Sequence, residues 1–317
     1  MQPEPLQKIC VIVNCFSGTA KDSEIPERVE ALFKKYNLRA DFHFLDSPKK
    51  LTPTISEAIK KRYHAIVVGG GDGTISTAAE LLAEKNIPLG LLPLGTLNHF
   101  TKDLNIPQEL EKSVEIIKEG FTRKVDVACV NGHLFLNNSS LGLYPEIVRL
   151  REKGQKLGLG KWPAFFRAML QSLKRYPFLN VHLKVDGKPM VRKTPIVFIG
   201  NNLYEIHGTD LGTRSTLTEG KLSLLVTHKT GRLRLIILAF RALLGKLADA
   251  KDFDALAATE IVIQSSHKVL RVSKDGEVLM MKPPLRYSIF PQSLQVIVPK
   301  EQPAEDSQAK KKEESAS

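Results

Sequence analysis

Cysteine is scarce in this sequence: three residues in 317, Cys10, Cys15 and Cys129, with no CxxC pair. That spacing excludes a disulfide framework and fits a reducing compartment, with all three thiols expected to be packed in the strand-like runs around them. No stretch approaches the roughly 18 apolar residues of a membrane span, and MQPEPLQK holds no charged segment leading into an apolar one. The chain is therefore expected to be cytoplasmic and not to cross a membrane. None of the 8 histidines falls in an HExxH or other clustered ligand spacing, which disfavours a zinc site. Aromatic residues are 7% of the chain, and no nucleic-acid-binding motif is present.

What is present begins with charge. Lys and Arg number 46 against 34 Asp and Glu, a formal net charge of +12. Residues 151 to 250 hold 18 basic and 6 acidic side chains, so the excess is regional and points to an anionic partner such as a membrane surface or a phosphorylated ligand. Up to about residue 125, strand-like runs (KICVIVN, ADFHFLD, HAIVV, IPLGLLP) alternate with helical patterns, the order that gives a parallel sheet covered on both faces. Beyond it, short strands punctuated by Asp-Gly and Asn-rich turns predict an antiparallel β-sandwich-like unit. The expected division is an α/β domain over 1–125 with a returning strand near 288–300, and a β-rich domain over 126–287. Two amphipathic basic helical segments at 161–176 and 231–251 interrupt the β-rich part, and a tail at 301–317 has almost no apolar residue and is expected to be disordered. The segments are read either as core helices with a solvated basic face or as elements that lie on a membrane surface.

The stretch VVGGGDGTIST, residues 67 to 77, sets Gly69, Gly70, Gly71, Asp72 and Gly73 between an apolar strand and a helix. Bare backbone N–H groups at a helix N-terminus suit phosphate oxygens. No Gly-Lys-Ser/Thr follows, and Thr74 stands where a dinucleotide fingerprint needs its last glycine, so both common nucleotide loops are disfavoured. Two further polar loops end strands at the same sheet edge: Gly95-Thr96 with Asn98-His99, and Asn14 with Ser17 and Gly18. Three loops converging on one edge predict a single ligand there.

Gly70-Gly71-Asp72-Gly73-Thr74, the Pro-Leu-Gly-Thr-Leu-Asn run ending at Asn98, and the late Asp275-Gly276-Glu277 together resemble the catalytic domain of diacylglycerol and sphingosine kinases, in the bacterial lipid kinase branch. The glycine motif is shared with NAD kinase and resembles the phosphofructokinase loop. The resemblance implies a three-layer α/β domain joined to a β-sandwich-like one. It further implies an ATP- and magnesium-dependent kinase acting on a membrane lipid at a peripheral membrane surface, with no nucleic acid as partner.

Carried over by position, the resemblance assigns Asn14, Gly70, Gly71, Asp72, Gly73, Thr74, Gly95 and Thr96 to ATP, with Asp72 turned toward magnesium-bound water. It assigns Asp275 and Glu277 to the transferred phosphoryl group, with Glu277 as the favoured base. Thr216, Glu219 and Lys221 match a loop that holds a structural magnesium ion through one carboxylate and backbone oxygens. Glu219 stands where relatives commonly have Asp, and His99 where many carry Asp; His99 is given no catalytic role. Read from the residues alone, Asp275-Gly276 is a hairpin turn like Asp186-Gly187. A soluble NAD kinase-like enzyme and a non-catalytic lipid- or nucleotide-sensing protein remain as alternatives.

Overall fold

The computed structural model describes residues 8–16, 23–143, 145, 178–207, 210–214, 216–227 and 253–300. The helical segments expected at 161–176 and 231–251, the tail at 301–317, and Ser17 and Gly18 lie outside these residues. The first part runs β1 (Ile9–Asn14), α1 (Ile25–Lys35), β2 (Ala40–Leu45), α2 (Leu51–Lys60), β3 (Ala65–Gly70), α3 (Asp72–Leu82), β4 (Leu89–Pro93), α4 (His99–Asp103) and α5 (Leu110–Glu119). Then come β5 (Thr122–Val130), β6 (His133–Phe135), β7 (Asn138–Gly142), β8 (Leu179–Val185), β9 (Lys188–Thr194), β10 (Ile196–Asn201), β11 (Tyr204–His207) and β12 (Asp210–Arg214). The chain closes with β13 (Leu222–Thr227), β14 (Phe253–Ala258), β15 (Glu260–Ser265), β16 (Leu270–Lys274), β17 (Glu277–Met281) and β18 (Leu285–Ile297).

Strands β2, β1, β3 and β4 pair in parallel in that order. All six residues of β1 are buried, as a strand covered on both faces requires. Ile9, Val11 and Val13 face a cluster completed by Val29 and Phe33 of α1 and Val114 and Ile117 of α5. Cys10 and Ile12 face the other cluster, with Ile55 of α2 and Ile75, Ala79 and Leu82 of α3. This is the three-layer arrangement the alternating pattern predicts.

The antiparallel strands form a second sheet in the order β14-β13-β10-β7-β16-β17, while β18, β15, β8 and β9 extend the first. A shared core lies between the two sheets, with Val181, Leu183, Ile261 and Tyr287 on one side and Leu141, Ile199, Leu224 and Val272 on the other. Tyr287 is fully buried, and its hydroxyl meets Ser139 Oγ at 3.1 Å. Strand β18 makes the two parts one sheet: residues 285–288 pair with β15, nearly its whole length pairs with β5, and Val296 stands opposite Leu89 of β4. The returning strand expected near 288–300 thus starts and ends three residues earlier.

The turn in β18 has a specific fastening. Its register against β5 shifts between Phe290 and Leu294, and Gln292 adopts a φ of 50°. Asp126 of β5, fully buried, accepts Gln292 N–H at 2.8 Å on one carboxylate oxygen and Gly220 N–H at 2.7 Å on the other. One carboxylate therefore holds both the bulge and the 216–221 loop. Cys15 departs from expectation: Cys10 and Cys129 are buried, but Cys15 is half-exposed because β1 has already ended. Burial pushes the Cys10 thiol up to about 11, far from reactive.

Replacing Asp126 with alanine removes a buried carboxylate and leaves the Gln292 and Gly220 N–H groups without their acceptor. Unfolding stability is expected to fall by about 3 kcal/mol, read as a lower urea midpoint.

Candidate active site

The site forms where β1, β3 and β4 end. Strand β3 runs straight into α3, with Gly71 extended at the N-cap position. The N-cap carries no side-chain acceptor; the Thr74 N–H closes onto Gly71 O at 2.9 Å, and the N–H groups of Asp72 and Gly73 are left at the helix start. Asn14, at the end of β1, donates from Nδ2 to Thr74 Oγ1 at 2.9 Å, tying the first loop to the helix start.

The loop after β4 packs against the glycine run with no room for side chains between them. A Cβ on Gly95 would stand 2.4 Å from Gly71 Cα and 2.4 Å from Asn98 Oδ1. Asn98, buried and left-handed at φ 52°, organises this loop. Its Oδ1 accepts Gly95 N–H at 3.0 Å, its Nδ2 donates to Gly95 O at 3.0 Å and to Gln108 Oε1 at 3.0 Å, and its N–H donates to Asp72 Oδ2 at 3.0 Å. The other Asp72 oxygen, Oδ1, is buried without a hydrogen-bond partner. An ionised carboxylate oxygen in that state is suited to a cation or to water held by one.

A cleft of about 340 Å³ opens over these loops, lined by Asn14, Gly71, Gly73, Thr74, Thr77 and Glu277, with Pro48, Leu51 and Thr52 at its side. Of the residues expected to meet a nucleotide, Asn14, Gly71, Gly73 and Thr74 line it. Asp72 and Gly95 brace the loops beside it, Gly70 is pressed against Thr74, and Thr96 is exposed on the adjoining turn.

Asp275 and Glu277 come to this place from far along the chain. Asp275 (φ 45°) and Gly276 (φ 86°) make a two-residue hairpin between β16 and β17, as Asp186 (φ 44°) and Gly187 (φ 85°) do between β8 and β9. The turn reading is thus correct for the backbone, but the Asp275 carboxylate does more. Oδ1 accepts Asn137 N–H at 2.8 Å and Asn138 N–H at 3.1 Å; Oδ2 accepts Leu136 N–H at 2.8 Å and Ser76 Oγ–H at 2.6 Å. Four donors occupy it, so it fixes the hairpin to α3 and to the 136–138 turn. Glu277 is exposed at the cleft. Lys274 adds a second tie, its buried ammonium 2.8 Å from Glu80 of α3.

Thr216, Glu219 and Lys221 share one loop, and none of them lines the cleft. Glu219 N–H is held by Asn202 Oδ1 at 3.1 Å, its carboxylate is exposed, and the Thr216 and Thr218 hydroxyls bond each other at 2.9 Å. Among the described residues no three His, Cys, Asp or Glu side chains gather as metal ligands. His99 is exposed. The roles of Ser76, Asp126, Arg214 and the structural weight of Asn98 were not foreseen. For Asp126 a signal exists, an acid within the apolar run VDVACV; Arg214 offers none.

A parallel α/β layer with glycine-rich strand ends, continuous with an antiparallel β sandwich, defines a two-part fold with its cleft at the glycine loops. Residues 8–130 match the diacylglycerol kinase catalytic domain, and residues 155–298 match the YegS C-terminal NAD kinase beta sandwich-like domain. Together the two matches cover most of the chain, which is thus built of a diacylglycerol kinase catalytic domain followed by that second domain. It is 26% identical over 302 residues to the diacylglycerol kinase of Bacillus subtilis, covering 93% of this chain and 98% of that one. Against the diacylglycerol kinase of Staphylococcus carnosus the identity is 24% over 221 residues, 69% of this chain and 72% of the other. A solved diacylglycerol kinase structure from Bacillus anthracis superposes with a TM-score of 0.67 at 20% identity, over 92% of this chain and 97% of that one. A second Bacillus anthracis structure gives 0.73 at 23% identity, over 93% and 96%. These two likenesses concern the fold. No described helix is long and apolar enough to cross a membrane.

Gly95→Ala must push apart two backbones. It is expected to lower stability by about 1–3 kcal/mol in chemical denaturation, with the loss absent in the open-space control Gly73→Ala.

Proposed function

We propose that the chain is an ATP- and magnesium-dependent lipid kinase that transfers the γ-phosphoryl group to a hydroxyl of a lipid such as diacylglycerol. It works as a cytoplasmic protein that meets the membrane transiently. The observation that carries this reading is the exposed Glu277 carboxylate in the same cleft as the first turn of α3. Phosphate oxygens are received by backbone N–H groups that no side chain caps, and Thr74 and Asn14 are locked to each other beneath them.

Magnesium, when bound, neutralises charge on the phosphates; the unpartnered Asp72 Oδ1 is the atom suited to hold it or its water. The exposed Glu219 carboxylate, with backbone oxygens of Thr216 and Lys221, is the proposed place for a structural ion. In the transfer itself the lipid hydroxyl oxygen forms a bond to the γ-phosphorus. Its proton passes to the Glu277 carboxylate, and the bond to the bridging oxygen of ADP breaks. Asp275, saturated with hydrogen bonds, holds Glu277 in place. Charge in the 151–250 region favours an anionic membrane face.

Incubation with labelled ATP, magnesium and a total lipid extract is expected to yield a labelled lipid. Glu277→Ala should reduce the label by about 100-fold or more, and EDTA should abolish it. Equal label in Glu277→Ala would sink the assignment of the base, and label in added NAD instead of lipid would move the chain to the soluble alternative.

Gly73 separates ligand from fold. It is helical, and a Cβ there meets no atom within 4 Å. Gly73→Ala is therefore expected to keep or raise the melting temperature, by up to about 1 kcal/mol of stability. It should nonetheless bind ATP about tenfold or more weakly in a titration, because the methyl group stands where phosphate approaches. Unchanged affinity would return the loop to a steric turn.

A further inference from the structure

Arg214 ends β12 with its side chain 0% exposed, and all five of its N–H donors are used. Nε and Nη2 both reach Asp103 Oδ2, and Nη2 also reaches Asn137 Oδ1 at 3.0 Å. Nη1 donates to Leu136 O at 2.6 Å and to Asn201 O at 3.0 Å, and the guanidinium lies 5.5 Å from the Tyr204 ring centre. A buried guanidinium satisfied at every donor is held in one geometry that an ammonium cannot reproduce.

Its partners connect with two groups of the site. Asp103 belongs to α4, the helix whose N-cap residue is Asn98, and the Asn98 N–H holds Asp72. On the other side stand the 136–138 peptides. The carbonyl of the Leu136–Asn137 peptide accepts Arg214, and the N–H of the same peptide donates to Asp275. In the next peptide the Asn137 carbonyl accepts the Tyr204 hydroxyl at 2.9 Å and Asn201 N–H at 2.9 Å, while Asn138 N–H also donates to Asp275. Two successive peptide dipoles therefore sit between a cation and an anion, each pointing its negative end at Arg214 or its neighbours and its positive end at Asp275. Removing the cation loosens the group that orients Asp275, and Glu277 lies two residues beyond it in a turn with no slack.

We propose that Arg214, anchored on Asp103, is a positioning residue for phosphoryl transfer. It braces the Asp72 side of the cleft against the 136–138 turn and so fixes, through Asp275, the place of the Glu277 carboxylate. The inference rests on the reading of Glu277 as base, and its test separates the two.

Arg214→Lys and the milder Asp103→Asn are compared with wild type in the full chain. Both are checked by thermal melting, and ATP affinity, lipid kinetics and amide hydrogen exchange are then measured. The expected result is a folded protein with ATP affinity within about twofold, KM unchanged and kcat reduced about tenfold or more for Arg214→Lys, with a smaller loss for Asp103→Asn. Amides 136–138 should exchange faster in both. Should Arg214→Lys fail to fold, Asp103→Asn carries the same comparison. Unchanged exchange at 136–138 overturns the proposal, as does full kcat despite faster exchange, or a rise in KM with kcat intact. A wild type that labels no acceptor overturns the kinase reading and the catalytic half of this one, while the exchange data still decide whether Arg214 holds the turn.

Discussion

The Asp275 carboxylate is the interaction on which the arrangement of this site depends. It joins elements that the chain order keeps far apart: Ser76 on the helix after the glycine run, the peptides at 136–138, and the β16–β17 hairpin. Burying a carboxylate is costly unless its lone pairs are filled, and here two oxygens receive four donors. A carboxylate whose oxygens are so occupied is a good anchor. The hairpin it anchors has only two turn residues, both at positive φ, so the next side chain toward the cleft inherits the anchor's precision.

The opposite wall is set by absence of side chains. Gly71 and Gly95 bring two backbones together closely enough that a methyl group at residue 95 has no place, and Asn98 fills the rest of the loop with hydrogen bonds. Gly73 differs from them, since open space surrounds it. The glycines of one short run thus answer to two demands. Packing fixes those at the base of the loops, and the surface glycine is left for whatever approaches from the cleft.

Much of this was legible in the sequence because the signals are local. Apolar runs such as CVIVN, helical spacing in α1 and α3, and the two Asp-Gly turns each specify their own element. What was not legible depends on pairing across long separations. Strand β18 reads as a strand returning to the α/β part, but its sequence does not show that a bulge lets it border both β15 and β4, and the residue that fixes the bulge, Asp126, lies far upstream. Arg214 is the extreme case: it follows polar, unpatterned sequence and finds Asp103, Leu136, Asn137 and Asn201 only in the folded chain. The cleft loops could be named from their motifs, but not which of their residues bear on a ligand and which on one another.

Charge at the cleft bears on how a triphosphate is accepted in the proposed reaction. Among the described residues that line it there is one acid, Glu277, and no lysine or arginine. Backbone N–H groups and the α3 dipole offer a partial positive charge of about one half, which cannot balance a nucleotide triphosphate alone. In the proposed reaction a cation delivered with the nucleotide would supply the remainder, and Asp72 Oδ1 is the one buried carboxylate oxygen among the described residues left without a partner. Such a division suits transfer to a neutral lipid hydroxyl. In the proposed reaction phosphate charge is offset at the glycine loops, Glu277 is left to receive the proton, and a fixed cation, Arg214, is spent on geometry one layer behind.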